Sequence, residues 1–358
     1  MRKERLPLIV VGIASLLAAA WGGLVRLGWF GTGAADVRLA SAHGPLMVVG
    51  FLGTVIGVER AVAAKRPWAF AAPILAAASA VLSVALPTSR VGPVAGVGAA
   101  LVLSAIVARA LWRARSFHLV LELAGAASFV VAQVLLVTGG FVARAAPWWL
   151  AFLLLTIFAE RVEASRVIAP SRTGRVLMAS SVAVFGVGLV ASALDAGLAA
   201  RIRGAAMVGM AAWVVLFDVP RRTVRSKGLP RFVAVSLLIA AAWLAGAGAV
   251  ALLAGWADAG PTYDANLHAA FLGVVMMMIF AHAPVIFPAV LGVRVPMRGR
   301  FYVHVGLLAA SVALRVAGDL AGSAPMRAWG GMLNAVAILA FLASTAGAIF
   351  AGAARSTR

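Results

Sequence analysis

Five histidines, His43, His118, His268, His282 and His304, are the side chains of this chain best suited to chemistry, since it has no cysteine and only 12% charged residues. A neutral imidazole is the commonest protein ligand for a metal ion. Two of the five lie in the apolar run from Asn266 to Gly292, NLHAAFLGVVMMMIFAHAPVIFPAVLG. As a helix that run reaches about 40 Å, enough to cross a hydrocarbon core of about 30 Å. His268 and His282 are 14 residues apart, which returns them to within about 40° of one helix face. Ionisable residues inside such a run are costly and mark functional sites by default. Without cysteine there is no disulfide, iron–sulfur ligation, C-x-x-C-H haem attachment or thiolate copper site. Any metal must be held by His, Met, carboxylate or backbone.

The elements that would position these histidines are membrane helices. The chain has 358 residues, 63% of them hydrophobic, and its mean hydropathy is +1.03. Hydrophobic windows predict twelve spans at 6–30, 42–64, 68–87, 91–112, 117–140, 147–168, 174–196, 200–219, 230–254, 265–292, 300–320 and 327–352. The connections are short and often carry Pro or Gly, as at Pro67, Pro87, Pro93, Pro147, Pro170, Pro220 and Pro230. No soluble domain fits between them, so residues 1–358 read as a single all-α transmembrane domain. The first span follows MRKERLP, is long, and lacks a small-x-small cleavage site, which reads as an uncleaved helix rather than a signal peptide.

The net charge of +20 invites a nucleic-acid reading, but the placement of the basic residues opposes it. With the N-terminus inside, 23 of the 31 Lys and Arg fall on the cytoplasmic side, 7 on the outer side, and Arg26 within a span. That bias places both termini in the cytoplasm; the expected location is a bacterial-type inner membrane, spanned many times. The positive charge then serves topology and attraction to anionic lipid, not nucleic acid.

On this topology His43, in SAHGPLM, opens the second span and His268 opens the tenth. Both lie near the outer surface, on helices running in the same direction. Two imidazoles so placed can clamp one iron axially, the arrangement of a low-spin b-type haem. They can equally be two interfacial histidines bonded to backbone or water. Arg26, Arg38 and Arg315 lie at or near outer ends of spans and are candidates for haem propionates, which need charge-assisted donors. Simple snorkelling explains them as well, Arg38 above all. Arg315 and Asp319, four residues apart, are expected to pair.

The remaining histidines fall in inner halves. His118, His282 and His304, with Glu122, are candidates for a second site holding copper or non-haem iron, if their helices are neighbours. His118 and Glu122 share a helix face and could instead open a proton relay. Met47 and Met278 lie four residues from His43 and His282, although methionine more often fills apolar space. Glu59, Arg60, Glu160, Arg161, Glu163 and Arg166 suggest a buried ion-pair network between the second and sixth spans, which Asp218 could join. Gln133 and Asn334 are expected to bond between helices.

Twelve spans with outer-end histidines on the second and tenth resemble subunit I of the haem-copper oxidase superfamily. The words S-A-H-G-P-L-M around His43 and L-H-A-A-F-L-G around His268 resemble the shorter haem-binding NnrS-type proteins, linked to nitric oxide tolerance in bacteria. The resemblance implies a haem held by His43 and His268, and a redox role in nitric oxide metabolism or respiration. It departs from the oxidases in the sixth and seventh spans. WWLAFLLLTIFAERV has no His–Tyr pair and GRVLMASSVAVFGVGLV has no paired histidines for copper. Electrons would come from quinol or a separate carrier. A twelve-span secondary transporter without haem, or a haem or metal sensor without turnover, are the competing classes.

Overall fold

The computed structural model describes residues 5–31, 33–139, 141–168, 171–255, 259–293 and 295–356. Arg2, Lys3, Pro170, Arg294 and Arg358, and the Arg355 side chain, lie outside them. Every regular element among the described residues is helical, and twelve helices are long and apolar enough to cross a membrane. They are α1 (Leu6–Arg26), α2 (His43–Ala64), α3 (Pro67–Ala85), α4 (Val91–Ala114), α5 (Phe117–Val137) and α6 (Val142–Ser165), followed by α7 (Arg172–Ala191), α8 (Ala196–Phe217), α9 (Gly228–Ala254), α10 (Pro261–Leu291), α11 (Phe301–Leu320) and α12 (Ala324–Ala351). Each expected span is present, with its ends moved by a few residues. The sixth begins five residues early, because α6 runs through Pro147 instead of starting there.

Local chemistry fixes several of these ends. Ser171 Oγ accepts from the Gly174 N–H at 3.1 Å, and Asp195 Oδ1 accepts from the Leu198 N–H at 2.9 Å, which caps α7 and α8. Lys65 and Arg115 end α2 and α4 in left-handed conformation, at φ 51° and 41°, with cationic side chains at the negative ends of the two helix dipoles.

The chain divides into two compact units. The first holds residues 1–160 with Ile286–Val293, hence α1 to all but the end of α6 and the last turns of α10. The second holds residues 161–285 and 294–358.

Two departures from α-helical geometry matter for the histidines. In α2, Leu46–Gly53 forms a π-helical stretch of eight residues, and in α10, Ala269–Met276 forms another of the same length. Such stretches are rare and concentrate at functional sites. Each is closely packed at a glycine. A Cβ on Gly50 would lie 2.7 Å from Ala80 Cβ and 2.8 Å from Ser15 Oγ, so α1 and α3 both press on the first stretch. A Cβ on Gly273 would lie 2.5 Å from Trp243 Cγ, so the indole from α9 lies on the second.

Charged and polar pairs hold the units internally. Within the first, Arg60 of α2 reaches Glu122 of α5 through Nε at 2.8 Å and Glu160 of α6 through Nη2 at 2.7 Å, with Glu59 at 3.8 Å. The expected link between the second and sixth spans is therefore present, and α5 joins it. Asp218 instead takes a two-point bond from Arg161 within the second unit, at 2.8 and 3.0 Å. Ser311 donates to Asn334 Oδ1 at 2.7 Å across α11 and α12. Gln133, expected to bond between helices, has no hydrogen-bond partner among the described residues.

Candidate functional site

In the first unit, His43 is the first residue of α2 and stands three residues before the π stretch. Its Nδ1 is 2.7 Å from the Ala19 carbonyl of α1. A carbonyl can only accept, so Nδ1 carries the proton and Nε2 carries the lone pair, which is the metal-ligating form of the ring. The ring fits because Gly23 lies opposite it: a Cβ there would come within 3.0 Å of Cε1 and 3.2 Å of Nδ1. On the neighbouring residue, a Cβ added to Gly44 would lie 3.4 Å from the Trp149 ring. Trp149 is 1% exposed, and its indole N–H has no acceptor among the described residues. Arg26 ends α1 about one turn beyond this contact, and Arg38 lies on the short helix Ala34–Ser41 that packs on Gly22 through Leu39. Both arginines are exposed.

The Gly23 contact yields a direct test. Gly23→Ala is expected to cost about 1–3 kcal/mol of stability, because the added methyl must displace the imidazole from Ala19. Gly12→Ala, on the same helix with 3.6 Å to its nearest neighbour, should be neutral or stabilising by up to about 1 kcal/mol. Thermal unfolding of the detergent-solubilised variants compares them. Equal melting temperatures would mean that His43 is not seated as described.

In the second unit, His268 immediately precedes the π stretch of α10. Its Nδ1 is 2.8 Å from the Asp264 carbonyl one turn earlier and 3.3 Å from Oδ1 of the same aspartate. Nδ1 again carries a proton, and in the neutral ring the lone pair is on Nε2. Oδ2 of Asp264 receives Arg315 of α11, Nη2 at 2.9 Å and Nε at 3.2 Å, with Arg327 Nε at 3.4 Å. Arg327 also reaches Asp319 at 3.0 Å. Two carboxylates and two guanidinium groups thus form a compact set of balanced formal charge beside His268. The expected Arg315–Asp319 contact gives way to Arg315–Asp264, because Asp264 of α10 faces α11 at the same level. Arg315, a candidate propionate donor, is buried and committed to that aspartate.

The other three histidines have different surroundings. His282 Nδ1 lies 2.8 Å from the Met278 carbonyl. His304 is 2% exposed, among the rings of Phe232, Phe280, Phe301 and Phe341, with Nδ1 3.1 Å from Ser344 Oγ. No partner for its Nε2 occurs among the described residues. His118 is buried in the first unit, whereas His282 and His304 belong to the second. Among the described residues no three His, Asp or Glu side chains converge as metal ligands. The i,i+4 spacing of Asp264 and His268 was open to inspection in the sequence and is the signal that would have found this pair. Nothing in the apolar words LMVVGFLG and AAFLGVVM announces π geometry.

Residues 5–350 match the profile of a family described as Domain of unknown function (DUF8744). The chain belongs to that family. No curated protein matches it. The match takes in all four histidine-bearing spans and the whole Asp264 cluster, so α2 and α10 lie inside the matched region.

Proposed function

We propose that this protein binds b-type haem, with His43 and His268 as axial ligands, and serves a redox role in nitric oxide metabolism or respiration. One observation carries the reading. In each unit a histidine, His43 at the first position of α2 and His268 at the eighth of α10, has Nδ1 tied to a backbone carbonyl, leaving the lone pair of the neutral ring on Nε2, and stands within three residues of an eight-residue π stretch. Metal-ligating histidines characteristically give their other ring N–H to a carbonyl or carboxylate. The donor set fits haem iron, which takes two neutral imidazoles in low-spin b-type proteins. Bound haem would supply one-electron chemistry.

The residues do the rest. His43 and His268 would set ligation, Arg26 and Arg38 would offer exposed cations to propionates, and the apolar spans would keep water away. The orientation, with both termini in the cytoplasm of a bacterial-type inner membrane, rests on the Lys and Arg bias. Likeness to the oxidase subunit I bundle rests on the twelve spans and the histidines of the second and tenth, and likeness to NnrS-type proteins on the words around those histidines. Quinol or a separate carrier would donate electrons, and lipid surrounds the spans. Copper or non-haem iron at His118, His282 or His304 would be additional to this reading.

Purified protein should be red, with a Soret band and a reduced-minus-oxidised difference in the visible region. A colourless preparation from haem-replete cells would remove the assignment. That outcome would favour the second reading, a secondary transporter, which is supported by the division of a twelve-span chain into two compact units.

A further inference from the structure

We infer that Asp264 is a positioning residue for His268, tuning it as an iron ligand, an inference that rests on the haem reading above. The aspartate holds the imidazole twice, through its carbonyl at 2.8 Å from Nδ1 and its carboxylate oxygen at 3.3 Å from the same nitrogen. The carbonyl fixes ring orientation and tautomer. The carboxylate places negative charge beside the N–H, which draws the proton outward and makes Nε2 a stronger donor. A stronger donor favours the oxidised state of a metal it binds.

The carboxylate is itself immobilised. Arg315 holds Oδ2 from two nitrogens, Arg327 approaches the same oxygen, and Oδ1 is left facing His268. Arg327 in turn is shared with Asp319, whose side chain is fully buried. Arg315 and Arg327 therefore orient Asp264, and the burial of Arg315 makes it a structural anchor. At His43 the corresponding Nδ1 contact is to the Ala19 carbonyl.

The test uses the purified holoprotein and three variants, with haem content and midpoint potential as readouts. Asp264→Asn keeps the carbonyl and the shape but removes the charge, and its potential should shift positive. Asp319→Asn changes a carboxyl that touches Asp264 and Arg327 but not His268, and should shift the potential much less. If Asp264→Asn does not fold, Asp264→Asn/Arg315→Gln removes one charge of each sign, and the positive shift should persist. A folded Asp264→Asn protein that has lost its haem also supports the inference, provided Asp319→Asn retains it. A haem-loaded Asp264→Asn with wild-type potential overturns this inference alone, as does an equal shift in Asp319→Asn. A colourless wild type overturns the haem reading and this inference with it.

Discussion

Arg161→Ala is expected to destabilise the protein by about 3–5 kcal/mol, the usual consequence of leaving one member of a buried ion pair without the other. The Asp218 side chain is fully buried, and both its oxygens receive the Arg161 guanidinium, Nε at 2.8 Å and Nη2 at 3.0 Å. Its remaining bond, from the Val219 N–H at 2.7 Å, cannot balance a full charge in an apolar surround. The pair itself need not add much net stability, because desolvating both groups offsets most of their attraction. The double variant Arg161→Met/Asp218→Leu should therefore recover most of the loss. Thermal unfolding in detergent would report this as a large fall in melting temperature for the single variant and a small one for the double. If Arg161→Ala behaves like Arg113→Ala, a change at an exposed position, the burial of the pair is wrong.

On the proposed haem assignment, loss of the cofactor spectrum is the largest functional effect expected. His43→Ala and His268→Ala should each abolish the low-spin haem bands while the protein still inserts in the membrane at wild-type amounts. The loss follows because the methyl group left at each position has no lone pair to give the iron. Arg90→Ala, which changes an exposed residue of the first unit outside the proposed site, should keep the bands. Full retention of the spectrum in both histidine variants would dismiss these residues as ligands.

His304 and His118 differ from these two histidines in their neighbours, whereas His282 shares the carbonyl contact at Nδ1. His304 sits in an aromatic enclosure beside Ser344, an environment that stabilises a neutral ring by packing as readily as it prepares a ligand. His118 shares its helix face with Glu122, and Glu122 is taken by Arg60. The network around Arg60 gathers carboxylates from α2, α5 and α6, which matches the glue role assigned to intramembrane ion pairs.

Composition and order alone determined the twelve spans, because a stretch of about 20 apolar residues has no other stable setting than a bilayer or a large core. They also placed Glu59, Arg60 and Glu160 together, since charges at matching depths on membrane helices seek one another. Tertiary structure decided the rest. Arg315 has a chain neighbour in Asp319 but bonds Asp264, because contact between α10 and α11 brings a nearer carboxylate to its guanidinium. Asp218 likewise pairs with Arg161 and not with the Arg60 network. The π stretches after His43 and His268 arise where neighbouring helices press on Gly50 and Gly273. Hydropathy reports how apolar a segment is. Which side chain meets which depends on helix rotation and crossing, and those are set by packing between segments distant in the chain.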